Sequence, residues 1–324
     1  MKKTLIALAA ATAATAFAAD SVTIYGIADS WFGQTKGANG INQTVVQSGG
    51  LSSSRLGFSI KEDLGDGLGA FAVIEDGLNM DDGTKTAQGR KYVVGLSGGF
   101  GAVSLGRQAT PFEDFYTKSF YTMDSAFEGM KAGGRAAGYA HNARVDNSVR
   151  YDSPNFDGFT ASAIIGLGEN KVSTPIAVRA TQTTGLSARY ANGPLIVGLA
   201  YQKDETQAAP KVNNKTNTVI AGSYDFGVAK LNAGFNTAKQ SNLAAREKAY
   251  NLGVVVPLGA FSVLAELGQS KVSNGGIKTK SYGLEGRYAM SKRTTVYAGL
   301  GQAKISGATN PNRRNFGIGI RHTF

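Results

Sequence analysis

"NRRNFGIGIRHTF", residues 312–324, is the stretch that decides the fold. Phe316, Ile318, Ile320 and Phe324 fall on alternate positions, interrupted only by His322, and Gly317, Gly319, Arg321 and Thr323 fill the gaps. Strict alternation marks a strand with one apolar and one polar face. The apolar set ends on Phe324, an aromatic ring beside the terminal carboxylate. Such a face must meet either a protein core or a hydrocarbon phase, and the rest of the chain chooses between them.

The chain opens "MKKTLIALAAATAATAFAAD", with Lys2 and Lys3, an apolar run over 5–11, and small residues closing at Ala16-Phe17-Ala18. This is the pattern of a secretory signal peptide with an A-x-A cleavage site. It predicts a signal over 1–18 and one barrel domain over 19–324. The apolar run is too short to span a bilayer. With no cysteine, an exported chain cannot rest on disulfides. No later run approaches the length of a transmembrane helix. The net charge is +11, but the bases are scattered singly along alternating strands. That argues against nucleic acid and for anionic solutes or anionic lipid headgroups.

Period-2 runs bounded by turn residues predict strands at 21–34, 51–62, 68–79, 88–98, 101–109, 142–152, 156–168 and 181–191. The second half adds 194–203, 216–226, 228–238, 246–257, 259–271, 278–289, 293–304 and 313–324. Tight turns ("DLGDG", "GGF", "SPN", "NG") alternate with longer polar connections such as 34–50, 169–180 and 204–215. Sixteen strands with short turns at one end and long loops at the other describe an all-β, antiparallel transmembrane barrel. Closure removes the sheet edges that lipid would not tolerate. In the last strand Phe316, Ile318 and Ile320 then face lipid, and Arg321 faces the interior.

Several segments carry a resemblance: "VTIYGIAD" (22–29), "SRLGF" (54–58), "EDLGDGL" (62–68), "VGLSGGFGAVSLGRQ" (94–108), "NSVRYDSPNFDGF" (147–159), "SYDFG" (223–227), "YAMSKRT" (288–294) and "GIRHTF" (319–324). Together they resemble the general porins of beta-proteobacteria, in the family's order through the whole mature chain. The resemblance implies a water-filled outer-membrane channel for passive diffusion of small hydrophilic solutes. It also implies a homotrimer set among outer-membrane lipids, a third external loop folded into the pore, and a terminal Phe324 read by the barrel-insertion machinery. A solute-specific channel is the alternative within the class, and a barrel-based surface adhesin or receptor the alternative outside it.

The connection over 110–141 is far longer than a hairpin loop and carries Phe112, Phe115, Tyr116, Phe120, Tyr121 and Phe127, too aromatic for a solvated tail. It is the expected constriction. Sorting strands by face puts Arg55, Lys61, Lys91, Arg144, Arg150, Arg189, Lys230, Arg287 and Arg321 in the lumen, against Asp29, Glu75, Asp146, Glu266 and Glu285. Nine bases against five acids predict an anion-preferring wall, since fixed charge beside a narrow water path sets selectivity. The family resemblance implies an arginine cluster at Arg55, Arg107 and Arg144. Arg107 shares a face with Val103 and Leu105, so it needs a bulge near Gly106 to turn inward. The resemblance also implies facing loop carboxylates, with Asp114, Asp124 and Glu128 as candidates.

Catalytic and metal motifs do not assemble. "GLSGG" (95–99) is flanked by strands rather than a strand and a helix, so Ser97 is not a nucleophile elbow. The only histidines are His141 and His322, and no clustered ligands suggest a metal or cofactor. Asp81 and Asp82 in "NMDDG" read as a solvated loop tip.

Overall fold

The computed structural model describes residues 21–129, 140–173, 177–208, 211–274 and 276–324. The signal peptide expected over 1–18 lies outside them, as do residues 130–139 of the long loop.

The strands are β1 (Ser21–Lys36), β2 (Asn42–Ser48), β3 (Arg55–Gly65), β4 (Leu68–Gly77), β5 (Lys91–Gly98), β6 (Gly101–Ala109), β7 (Arg144–Asp152) and β8 (Phe159–Leu167). They continue as β9 (Gln182–Asn192), β10 (Leu195–Ala208), β11 (Lys211–Asp225), β12 (Lys230–Gln240), β13 (Arg246–Leu258), β14 (Phe261–Val272), β15 (Lys278–Ala289), β16 (Thr294–Ser306) and β17 (Asn312–Thr323). All neighbours are antiparallel, and β1 pairs with β17 from Ile27↔Thr323 to Lys36↔Arg314, so the sheet closes. β2 and β3 occupy one barrel position between them. β2 pairs with the upper half of β1 (Ser30↔Ser48 to Lys36↔Asn42) and β3 with the lower half (Ser21↔Lys61 to Ile27↔Arg55). The barrel therefore has sixteen positions, as the alternation predicts.

Several boundaries differ from the sequence reading: the expected polar connection 34–50 holds β2, the expected strand 88–98 starts at Lys91, and two further differences bear on the site. The expected second strand, 51–62, starts only at Arg55, because residues 49–54 leave the wall and fold inward. Asp29 draws them in: its carboxylate accepts from the backbone N–H of Gly50 (2.9 Å), Leu51 (2.9 Å) and Ser52 (2.8 Å). The segment expected as the polar loop 204–215 is mostly strand, with β10 and β11 paired out to Ala208↔Lys211. Above the membrane a hairpin needs backbone pairing but no apolar face, so the hydrophobic signal stops before the strands do.

The barrel is turned inside out relative to a soluble domain. Val22, Ile24, Phe58, Leu199, Leu252, Leu267 and Ile318 are exposed on its outside, while Asp29, Gln202, Asn217, Glu247, Glu266 and Glu285 are buried on its inside. Only lipid on the outside makes that arrangement favourable. At the seam, Phe324 exchanges backbone hydrogen bonds with Gly26 on β1 (2.9 and 3.1 Å). Its ring lies over Gly26, where any Cβ would collide with it. The terminal residue is thus the last rung of the closing pair.

Candidate functional site

The long loop enters the barrel after β6 through α1 (Pro111–Phe115), which continues as one π-helical turn over Tyr116–Phe120. Thr110 caps α1 by accepting from Glu113 N–H (3.1 Å), and Pro111 opens it without forfeiting an N–H bond. Phe112, Phe115, Tyr116, Phe120 and Tyr121 bury themselves against Ala200, Val219, Ala221 and Ala249 on the inner faces of β10, β11 and β13. Each such ring contributes about 1.5–3 kcal/mol by burial. Further along, Phe127 packs edge-on against Trp31 (5.2 Å between centroids) and beside Tyr297. The loop is therefore a plate fixed to one side of the lumen.

Small wall residues make room for it. A Cβ on Gly253 would overlap Thr122, and one on Gly299 would overlap the Phe127 ring. Polar tethers set its height: Asn232 Nδ2 donates to Ser119 O (2.8 Å), Thr122 N to Glu266 Oε2 (2.7 Å), Arg287 to Met123 O (3.1 Å) and Asn315 Nδ2 to Ala126 O (2.9 Å). Ala126 N donates to Gly50 O (2.7 Å), so the inward 49–54 segment and the loop brace each other.

Opposite the plate remains a space of about 650 Å³, lined on the wall side by Arg55, Arg90 and Arg144 and on the loop side by Glu113, Asp114, Lys118 and Asp124. Glu75 organises the wall. Its carboxylate accepts from Arg90 Nε (2.7 Å) and from the Tyr25 hydroxyl (3.0 Å), and lies 3.9 Å from Arg55. Arg55 and Arg90 thus share this carboxylate, and Arg144 stands with them on the same lining. Below α1 a second space of about 380 Å³ is lined by Arg150, Arg189, Lys230 and Lys118, with hydroxyls from Thr160, Ser162, Ser187 and Ser223. Arg150 is locked there between Asp114 (2.7 Å) and Asp152 (2.8 Å) and also donates to Ala109 O (2.9 Å). It is as much a strut for the loop as a pore charge.

Arg55, Arg144, Asp114 and Asp124 come together around the upper space. Arg150, Arg189 and Lys230 gather around the lower one. Lys91 stands opposite Glu75 across β4–β5, Lys61 is exposed in the lower half of β3 opposite Ser21, and Arg321 reaches Ser52 Oγ (3.4 Å). Arg287 pairs with Glu285 and holds the loop rather than standing free at the lower mouth.

Three expectations change. Arg107 keeps the outward register of Leu105, opposite Tyr92, and is absent from the lining of both spaces. Its guanidinium is taken up by Gly89 O (2.6 Å) and Asp146 (2.5 Å). A bulge is present, with Gly106 at φ +126, but the extra residue lies on β7, where Asn147 has φ +49. That residue shifts the register there, so Val145 is buried and Asp146 is exposed, removing one expected lumenal acid, while Arg144, the first residue of β7, still lines the upper space. Glu128 is fully buried near Glu266 and does not line the upper space. Arg90, which alternation did not select, lines it instead. It falls inside the expected strand 88–98 on the face opposite Lys91, so alternation points it at lipid; β5 begins only at Lys91, and residue 90 escapes that parity.

A closed sixteen-position barrel with an apolar exterior, a charged interior and a loop fixed inside defines a membrane channel. The sequence profile of the Gram-negative porins matches residues 4–308, and the chain belongs to that family. It is 31% identical to outer membrane porin protein 32 of Delftia acidovorans over the full length of both chains. It is 30% identical to an outer membrane porin of Bordetella pertussis, again over both full lengths. The structure superposes on the anion-selective porin from Comamonas acidovorans with a TM-score of 0.80 and 27% identity, covering 94% of this chain and 100% of that one. The trimer form of OmpT from Vibrio cholerae shares the fold at TM-score 0.73 and 19% identity. The protein is an integral outer-membrane porin, and Gram-negative porins are channels.

Proposed function

We propose that the protein is a passive diffusion channel, not an enzyme, for small hydrophilic solutes with a preference for anions, filtered between the Arg55–Arg90–Arg144 wall and the loop carboxylates Asp114 and Asp124. The observation that carries this reading is the gathering of three guanidinium groups, Arg55, Arg90 and Arg144, on the lining of one space, around Glu75, which pairs with Arg55 and Arg90. Low-dielectric walls focus that surplus onto the path of an ion. The anion selectivity of the Comamonas porin supports the same direction. The carboxylates facing the arginines create a field across the pore, which favours solutes that carry charge and a dipole together.

Assembly is part of the proposal. Val22, Ile24 and Ala28 present small and apolar side chains outward on β1, a surface suited to close packing against a second and third copy. A homotrimer in outer-membrane lipid is the state proposed. Phe324, exposed at the seam, is the proposed handle for the insertion machinery, after removal of residues 1–18. Reversal potentials in a planar bilayer under a salt gradient test the central claim. A positive anion-to-cation permeability bias supports it, and cation selectivity at low salt refutes it.

A further inference from the structure

The loop plate carries one side chain that the charge filter has not used. His141, on the returning limb of the loop, places Nε2 at 2.7 Å from Glu113 Oε2 on α1. Its ring lies edge-on against Phe112 (4.6 Å between centroids) and Tyr116 (5.4 Å). The backbone just after it is pinned. Thr110 N donates to Ala143 O (3.1 Å), Gln202 Nε2 to Asn142 O (2.8 Å), and Asn142 N to Asp204 Oδ2 (3.1 Å). The imidazole is thus held in place with its side chain 7% exposed, and it lines the same upper space as Arg55, Arg90 and Arg144.

The charge balance of that space is close. Its described lining carries four permanent bases, Arg55, Arg90, Lys118 and Arg144, against three acids, Glu113, Asp114 and Asp124. Four against three leave one positive charge, and a protonated His141 makes it two. A single proton thus doubles the fixed surplus beside the ion path. Histidine is the side chain whose charge ordinarily changes between about pH 5 and 8. The charged and titratable groups around this corner are Glu113 and Asp114 on α1, Tyr116 and Lys118 on the π-helical turn, Arg144 at the start of β7, and Asp204 on β10. Glu113, at hydrogen-bond distance, is the acid that an imidazolium here would neutralise. The chain's other histidine, His322, is exposed beside Thr294 Oγ1 (2.9 Å) at the end of β17 and is absent from the lining of this space.

We propose that His141 is a specificity-determining residue of the eyelet and acts through its protonation. Neutral, it leaves Glu113 as a loop acid facing the arginines. Protonated, it cancels Glu113 and strengthens the preference for anions. The inference rests on the anion-channel reading, since it needs the ion path to run through the upper space. The sign follows from where the proton goes. It adds positive charge on the side of the pore that supplies the negative half of the transverse field, so that field weakens while the net attraction for anions grows. The channel therefore favours anions more at mildly acidic than at mildly alkaline pH. Multivalent anions gain more than monovalent ones, because the attraction scales with the charge of the solute.

The test measures reversal potentials in planar bilayers under a low-salt gradient, between about pH 5.5 and 8, for wild type, His141→Gln and His322→Gln. The wild-type anion-to-cation permeability ratio should rise a few-fold as the pH falls, by the Coulomb scale of one added charge. His322→Gln should follow it. Glutamine keeps a donor for Glu113 but takes up no proton, so His141→Gln should hold the high-pH ratio throughout. A flat wild-type curve overturns the proposal and leaves His141 as a strut, and so does a slope that His141→Gln retains. NMR of the histidine-labelled channel in micelles supplies a reading that needs no change at His141. The signal that survives in His322→Gln should titrate with the midpoint of the permeability ratio. A signal unchanged over that range overturns the proposal even if His141→Gln does not fold. The two readings fail separately. A channel that prefers cations at every pH, with a slope abolished by His141→Gln, supports the role of His141 while refuting the anion reading. An anion-preferring channel without a slope does the reverse.

Discussion

Charges inside this barrel are fixed, and charges around the outer rim of β12 to β16 are not. Inside, Glu75 holds Arg90 at 2.7 Å, Asp114 and Asp152 hold Arg150 at 2.7 and 2.8 Å, and Glu285 and a loop carbonyl hold Arg287. Outside, Lys248 faces Lys271 and Lys280 faces Lys304, and among the described residues none of the four makes an ion pair within 4.0 Å. The two environments ask different things of a charge. A filter depends on where its charges stand, so arginines with rigid, planar donors are anchored by carboxylates even though each anchor subtracts from the positive field. At the rim, the facing lysines are exposed and carry no such anchor. The same chain thus uses pairing for position in one place and leaves charge unpaired in the other.

The sharpest way to break this contrast is to remove both sets separately. Arg55→Ala/Arg90→Ala/Arg144→Ala leaves Glu113, Asp114 and Asp124 on the upper space, with Lys118 the one remaining Lys or Arg among the described lining residues. A unit charge about 4 Å from an ion is worth about 1 kcal/mol even at the dielectric of water, so the anion-to-cation permeability ratio should fall on the order of tenfold or more and invert. The four rim Lys→Gln substitutions should leave the reversal potential unchanged. If the rim variant moved it as far as the lumenal one, the selectivity would arise from surface potential at the mouth and not from the eyelet.

A smaller effect follows from the loop's seat. Gly253→Val places a branched side chain where Thr122 now stands, and Gly299→Val does the same beneath Phe127. The plate should lift from the wall, since overpacking a fitted contact costs about 1–3 kcal/mol. Single-channel conductance should change and anion preference weaken, as Asp114 and Asp124 lose their register with the arginines. Unaltered conductance in a folded variant would show that the seat does not set the width of the pore.

Glu75→Gln acts in the opposite sense. It deletes the one wall carboxylate, so anion preference at low salt should rise a few-fold, by the same Coulomb scale. Freed of their anchor, Arg55 and Arg90 should also make the open-channel current noisier. In 1 M salt, where screening shortens to about 3 Å, wild type and variant should converge. A fall in anion preference would mean that Glu75 matters more for holding the arginines than for its own charge.

Much of this was legible in the sequence because lipid on one side and water on the other impose a period of two. That parity placed Arg55, Glu75, Arg150 and Arg189 in the lumen without any tertiary information, and the aromatic content of 110–141 marked the plate. Parity fails where the chain departs from a regular ladder. One extra residue at Asn147 carried Asp146 to the outside. The three N–H donors over 50–52 satisfied by Asp29 pulled a predicted strand start into the lumen. Alternation over the expected strand 88–98 puts Arg90 on the lipid face, but β5 begins at Lys91, so that parity does not govern it. The rim ladder is a fourth case: the lysines are visible one by one, but their opposition across strands depends on register, which only the paired sheet supplies.

The smallest effect is expected at Arg107, the position where family resemblance and strand parity disagree. Resemblance places it in the eyelet, and its register opposite Tyr92 places it behind the wall. Its contacts decide for parity. Gly89 O and the Asp146 carboxylate occupy the guanidinium, so an approaching ion meets a neutral pair whose field falls off faster than that of a lone charge. Arg107→Ala should therefore shift the anion-to-cation permeability ratio by about twofold or less, and much of that by exposing the Asp146 charge rather than by losing the guanidinium. The double variant Arg107→Ala/Asp146→Asn separates the two contributions. With both charges gone the reversal potential should return to the wild-type value, because a paired cation and its partner cancel at a distance. If the double variant instead stayed as cation-shifted as the single one, Arg107 would be acting directly on the permeating ion. It would then belong with the anchored arginines of the eyelet despite its register.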